Sequence, residues 1–269
     1  LCMPLRADDR KVSRTEISEV PWMPVSGTPK VIYGNDDRLD YYQVTDPDRV
    51  QMAMATCALI RTTRMNRNGD GSYTLFPSAY TQYGLPACAD EPFGDQPTAA
   101  FCSGFMAGPD IIVTAGHCYN TEDLGTAYFV FGFFMLNEVT PVLTFQADQV
   151  YTGIEILGRA HTSVYDYCVI KLDRPITAPG AKTLPVRREG SIAAGINVGV
   201  IGHPSGLPMK IAFGNNTTVR TNVSPGFFVA NLDTYRGNSG SPVFNATTGV
   251  VEGVLVRGDT DFISRGDCF

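Results

Sequence analysis

The feature that most restricts the fold is a succession of short β-rich runs cut by turn residues. From Val31 onward MATCALIRTT, YTLF, FCSGFMA, DIIVTAG, AYFVFGFFML, DYCVIKL, NVGVIG, KIAFG, FFVANL, SPVFN and GVVEGVLV follow one another, with Gly, Asn, Asp and Pro between them. Strand-length runs at this spacing imply an all-β sandwich or barrel. Helical heptads and short-period repeats are not visible. Residues 1–30 are polar and contain proline, and read as an N-terminal extension or pro-segment. The stretch 173–190, DRPITAPGAKTLPVRREG, reads as a linker between two β units. The expected division is therefore 1–30, 31–178 and 179–269.

Composition excludes several functions. The 269 residues are 43% hydrophobic and 18% charged, as in globular proteins. The net charge of -6, without a long run of one sign, gives no footprint for nucleic acid. No apolar stretch approaches the roughly 20 residues that span a bilayer, so no membrane partner is expected. Leu1 in place of Met fits a chain whose signal peptide has been removed. The seven cysteines form no CxxC pair and only three histidines are present, which argues against a zinc cluster. Disulfides in an oxidising compartment are the plainer reading, with at least one odd thiol. Cys168, inside the apolar run YCVIKL, is the expected free one. Asn66, Asn68, Asp70 and Gly71 imitate the start of a calcium loop, but the closing ligand position is Pro77. A hairpin turn is expected there, and no metal or cofactor.

Three segments carry the elements of serine hydrolase chemistry. Gly237-Asn238-Ser239-Gly240-Ser241-Pro242 places a serine between glycines, where a sharp turn exposes its hydroxyl and the amides of Gly237 and Ser239 can share one oxyanion hole. A serine hydroxyl needs a neighbouring base, and the base needs an orienting acceptor. Candidates are His117, in Thr114-Ala115-Gly116-His117-Cys118, and Asp166, in Tyr165-Asp166-Tyr167-Cys168-Val169-Ile170-Lys171-Leu172. His161 and His203 read as structural.

The string GNSGSPVFN closely resembles the nucleophile segment of the glutamyl-endopeptidase (V8-like) branch of chymotrypsin-like serine proteases. TAGHC resembles that family's TAAHC with one Ala replaced by Gly, and DYCVIKL its aspartate segment with Cys168 in place of a small residue. The chain order His117, Asp166, Ser239 is the chymotrypsin-like order. The resemblance covers residues 31–269 and is strong at three short motifs. It implies two six-stranded antiparallel barrels with the active site between them, His117 and Asp166 from the first and Ser239 from the second. It also implies a Cys102–Cys118 disulfide. The roles follow the serine-protease template: Ser239 attacks, His117 moves the proton, and Asp166 holds the imidazole tautomer.

By the same resemblance Asp233 lies at the base of the S1 pocket, beside Thr234. An acidic base there would select Arg or Lys at P1. The histidine with which the V8-like branch reads Glu is replaced by Leu255, while Arg257 stands where an aromatic wall is usual and would offset Asp233. Asp233 as a simple turn cap stays open. Val256, Arg257 and Gly258 would form the edge that pairs with the substrate backbone. Lys30-Val31-Ile32-Tyr33-Gly34 resembles an activation junction, so autocatalytic removal of 1–30 from a zymogen is expected. Asn238 replaces the Asp that would receive the new N-terminus. Cys2, Cys57, Cys88 and Cys268 allow three pairings among themselves. The N-x-[ST] patterns at Asn216, Asn222 and Asn245 lead to no conclusion. The expected protein is thus a secreted, monomeric serine endopeptidase acting on proteins or peptides. The alternatives are a Glu-specific enzyme, a narrow toxin-like protease and a silent protease-fold binding module. A lipase or esterase is disfavoured by triad order and by the absence of βαβ alternation.

Overall fold

The computed structural model describes residues 2–3, 32–33, 35–224, 226–258, 261–262 and 264–269. The Lys30–Val31 junction and the expected extension, apart from Cys2–Met3, lie outside them. Twelve strands build the two main β units: β1 (Cys2–Met3), β2 (Arg38–Asp40), β3 (Thr56–Arg61), β4 (Cys102–Gly108), β5 (Ile111–Thr114), β6 (Ala127–Phe131), β7 (Val150–His161), β8 (Asp166–Leu172), β9 (Val198–Gly202), β10 (Lys210–Ala212), β11 (Pro242–Asn245) and β12 (Val251–Leu255).

Strands β3–β8 close into an antiparallel barrel in the order β6-β7-β8-β5-β4-β3. Alternation decides which residues face inward. Along β8, Asp166, Cys168, Ile170 and Leu172 are buried while Tyr167, Val169 and Lys171 between them are less so. Leu59, Phe105, Ile112, Phe129 and Ile170 fill the interior, each 0% exposed. Burying such a side chain contributes about 1.5–3 kcal/mol. The same core runs on through Ile201, Ile211 and Phe244 of the second unit, so the two halves share one apolar mass.

The second unit is a six-stranded antiparallel sheet in the order β1-β12-β11-β9-β10-β2. Among the described residues its ladder does not close between β1 and β2. The small sheet of Val219–Thr221 and Val229–Ala230 reaches it by the isolated bridges Cys2–Phe228 and Asn197–Thr218. The expected sequence division does not hold strand by strand. Arg38–Asp40 pairs with Lys210–Ala212 of the second unit, and Cys2–Met3 pairs with Val254–Leu255. Sequence position cannot reveal such pairing, because it is made across about 170 and 250 residues by two- and three-residue strands.

A helix that the heptad criterion passed over, α1 (Pro47–Met54), precedes β3. Its start signal is local: the Asp46 side chain accepts from the amides of Asp48 and Arg49, and Pro47 occupies the first turn. The 66–72 segment is a hairpin turn, with Asp70 accepting from the amide and hydroxyl of Ser72. Two disulfides form. Cys102–Cys118 joins β4 to the segment after β5, and Cys88–Cys268 ties the C-terminus to the loop before β4. Cys2, Cys57 and Cys168 are buried free thiols, so the odd thiol expected at Cys168 has two companions.

Candidate active site

His117 follows β5 and Asp166 opens β8, and these neighbouring strands bring them together. The His117 Nδ1 lies 2.8 Å from Asp166 Oδ2, and the His117 backbone N–H donates to Asp166 Oδ1 at 2.9 Å. A carboxylate only accepts, so Nδ1 carries the proton and Nε2 is left as the basic nitrogen. Asp166 is buried, whereas the His117 side chain is 33% exposed. Burial works against ionisation of Asp166, but hydrogen bonding and charge from His117 outweigh it and hold the carboxyl below its usual range.

The loop carrying His117 is fixed from several sides. Arg159 Nε, on β7, donates to the carbonyls of Gly116 and Tyr119, each at 2.8 Å. Sequence reasoning missed this brace, since nothing local distinguishes Arg159. Gly116, where the resembling family has Ala, also has a reason. A Cβ there would lie 1.9 Å from the carbonyl oxygen of Ala160, so β7 and the loop approach too closely for a side chain. The ring of His161 stands 6.0 Å from that of His117, and its backbone pairs with Asp166.

The Ser239 turn is seated against this loop. The Ser103 amide donates to the Ser239 carbonyl at 2.8 Å, and Cys118 Sγ lies 3.6 Å from the same oxygen. Gly240 takes φ +88, and a Cβ on it would fall 2.0 Å from the Ser103 carbonyl and 2.2 Å from Thr114 Oγ1. Only glycine permits both the left-handed backbone and the contact with β4 and β5. No hydrogen bond joins Ser239 Oγ to His117 among the described residues; such bonds are often long in free enzymes.

The amides around Ser239 divide into two groups. Those of Asn238, Gly240 and Ser241 donate to Tyr235, Leu255 and Asn238 carbonyls. Among the described residues, those of Gly237 and Ser239 donate to no protein group. Asn238 is buried and neutral: its Nδ2 donates to Thr234 Oγ1 at 2.6 Å and its Oδ1 accepts from Ser241 Oγ at 2.8 Å. The turn is thus held by uncharged partners at the position where an Asp would call for a cation.

Beside Ser239 opens a pocket of about 180 Å³ lined by Thr234, Tyr235, Arg236, Leu255, Val256, Arg257, Gly258 and Asp261. Four of the five expected substrate-contacting residues line it, and Asp233 is the exception. Asp233 is buried, with Oδ1 accepting from the Tyr33 amide at 2.7 Å and Oδ2 from the Asp37 amide at 2.9 Å. Arg257 reaches across to the first barrel, donating from Nη2 to the Thr162 carbonyl at 2.9 Å. Asp261 accepts from the Arg236 amide at 2.7 Å. Arg257 was expected at the pocket from the resemblance, whereas Asp261 was not, since nothing in its spacing from Ser239 marks it.

His203 is structural. It is 0% exposed, its Nδ1 donates to the Leu207 carbonyl at 3.1 Å, and its ring stacks on Phe133. Burial pushes its pKa down to about 3. Cys102, His117 and Cys118 bring two sulfurs and a nitrogen within 4.8 Å, but the sulfurs are joined in a disulfide and offer a metal no thiolate.

The chain is similar to several known proteins. An extracellular metalloprotease of Bacillus subtilis (strain 168) is 23% identical over 244 residues, covering 88% of this chain and 71% of that protein. The solved structure of human heparin binding protein shares the fold at 14% identity, covering 78% of this chain and 82% of that one with a TM-score of 0.51. A Glu endopeptidase solved in complex with MPD aligns over 85% of this chain and 87% of its own, at 20% identity and a TM-score of 0.49. The model of the trypsin-like peptidase domain matches residues 102–254, more than half of the chain. With that match laid over a closed β-barrel and an open β-sheet, the chain belongs to the trypsin-like peptidase family.

Proposed function

We propose that the protein is a serine endopeptidase that cleaves peptide bonds through an acyl-enzyme on Ser239. The observation that carries this is the His117–Asp166 pair, fixed by two hydrogen bonds, with the Ser239 carbonyl held by the Ser103 amide beside the disulfide that follows His117. In this reading Ser239 Oγ attacks the scissile carbonyl as His117 Nε2 takes its proton. Asp166 stays ionised and keeps Nδ1 protonated. The oxyanion is received by the amides of Gly237 and Ser239, the two in the turn that find no acceptor among the described residues. Each such donor is worth about 3–4 kcal/mol in the transition state. His117 then returns the proton to the leaving amine, and water repeats the sequence to release the acid.

The P1 preference follows from which charges line the pocket. The case for Arg or Lys rests on Asp233, and both of its oxygens are engaged by backbone amides outside the pocket. Among the described residues, two arginines, Arg236 and Arg257, line the pocket with one acid, Asp261. We therefore favour an acidic P1 residue over Arg or Lys. Secretion fits a disulfide that joins cysteines 180 residues apart and the extracellular relative.

Matched fluorogenic peptides with Glu, Asp, Arg, Lys or Phe at P1 test both points, with Ser239→Ala as blank and a fluorophosphonate to label Ser239. Turnover of Glu and Asp peptides is expected. Turnover of Arg and Lys alone would reverse the P1 assignment. Absence of turnover and labelling alike would overturn the enzyme itself in favour of a binding module.

A further inference from the structure

Each wall of the pocket is backed by a different end of the N-terminal segment. Behind the 233–236 wall lie Tyr33 and residues 35–38. Asp233 takes the amides of Tyr33 and Asp37, and the Arg38 guanidinium lies 4.1 Å from the ring centroid of Tyr235, which lines the pocket. Arg38 is itself fixed: it is buried, its Nε and Nη2 donate to Asp36 at 2.8 and 2.6 Å, and its strand pairs with β10. Behind the other wall lies β1. Cys2 is opposite Leu255, which lines the pocket, and Met3 is opposite Val254. Cys2 and Phe228 also exchange two backbone hydrogen bonds of 2.9 Å.

The His117–Asp166 pair stands on the other barrel, and none of these contacts touches it. Binding and chemistry are therefore supported by separate parts of the chain. Desolvation makes the buried Asp233 carboxylate costly unless amides meet it. Without the amides of Tyr33 and Asp37 it would turn toward water, and Thr234 and Tyr235 would move with it.

Resting on the reading of this pocket as the P1 site, we propose that the N-terminal segment sets substrate binding. In this role residues 2–3, Tyr33 and residues 35–38 hold the two walls, and Asp233 and Arg38 act as positioning residues. Asp233 then shapes the pocket from behind rather than meeting the substrate. A cut after Lys30 that released the leading peptide would remove β1, so such processing would change the pocket rather than merely uncover it.

The test uses the full chain with Asp233→Asn, Arg38→Met and Tyr33→Pro, which removes the backbone donor to Asp233 together with the ring that lies under Arg220. Thermal melting identifies the variants that fold. Peptide hydrolysis, the rate of Ser239 phosphonylation by diisopropyl fluorophosphate, and hydrogen exchange are then measured. Expected are a KM at least tenfold higher for Asp233→Asn, a kcat within threefold, a phosphonylation rate within twofold, and faster exchange at residues 254–258 or 233–236. An unchanged KM overturns the proposal, as does a parallel fall of kcat and phosphonylation. If the wild type itself is not phosphonylated, the protease reading fails, and hydrogen exchange still judges the strap: unchanged protection of both walls in all three variants overturns it.

Discussion

The closed barrel takes its six strands from one stretch of chain, residues 56–172, whereas the second sheet takes two from residues 2–3 and 38–40 and four from residues 198–255. Their interiors differ accordingly. The barrel is packed with Leu59, Phe105, Ile112 and Phe129, and its buried acids include Asp166 and Asp123. Within the second unit lie Arg38, Asp40, His203, Lys210, Asp233 and Glu252, all buried. Lys210 Nζ donates to Asp40 Oδ1 and Gln96 Oε1, each at 2.7 Å, and to the Pro208 carbonyl at 2.9 Å. Glu252 accepts from Arg187 Nη2 at 2.8 Å. A unit assembled from distant pieces of chain has no local sequence to specify its register. Pairs with one geometric solution then add specificity that apolar packing alone does not give. The barrel presents the His117–Asp166 pair on a self-contained scaffold, and the second unit forms the pocket from pieces that only the finished fold brings together.

That contrast can be broken first at the barrel. Asp166→Asn keeps the shape but leaves His117 with the wrong tautomer, and kcat is expected to fall about 10⁴-fold, the loss seen in the type case of this triad. Burst kinetics with an active-ester substrate would measure it, and a tenfold loss or less would deny Asp166 its role. In the second unit Lys210→Met leaves Asp40 buried without its cation, for an expected loss of about 3–5 kcal/mol in urea unfolding. Restoring much of that loss with Asp40→Asn in the same chain would show that the pair, rather than the lysine stem, matters. A loss below about 1 kcal/mol would mean that water replaces the ammonium.

Replacing Cys102 and Cys118 together by serine opens a loop of about 16 residues, and about 3 kcal/mol is expected to be lost. Because that disulfide ties the segment after His117 to β4 and packs against the Ser239 carbonyl, kcat should fall in the folded double variant. An unchanged kcat would show that Ser103, Gly240 and Arg159 hold the alignment by themselves.

The smallest effect is one of pH, and it belongs to the second unit. His203 titrates near 6.5 when unfolded and is pushed down to about 3 when folded. Between those values the unfolded chain binds the extra proton, so stability is full above pH 6.5 and falls as the pH drops toward 3. The slope for this group is about 1.4 kcal/mol per pH unit. Urea unfolding at pH 7 and pH 5 would show a weaker acid dependence in His203→Phe, and an equal dependence would place the acid sensitivity elsewhere.

Much of the site was legible because its parts are local. The turn at Ser239 needs Gly240 within one residue, and His117 needs the strand DIIV before it and Cys118 after it. Asp166 needs only to open an alternating strand. The Cys102–Cys118 pairing came from the resemblance rather than from spacing, and the structure contains it. Helix α1 was missed although Asp46-Pro47 announces it, because a two-turn helix is too short for heptads. Cys88–Cys268 joins residues 180 apart, and spacing offered no ground for choosing it over the other pairings.

The sequence by itself determined the all-β character, the order His117, Asp166, Ser239 and the glycines of the nucleophile turn, since each depends on residues adjacent along the chain. Only the tertiary structure decided what surrounds Asp233. In sequence it is a carboxylate six residues before Ser239, equally able to line a pocket or cap a turn. In the fold its two oxygens meet the amides of Tyr33 and Asp37, about 200 residues away. A carboxylate buried in a protein goes to whichever donors the packing brings to it, and only folding brings those donors there.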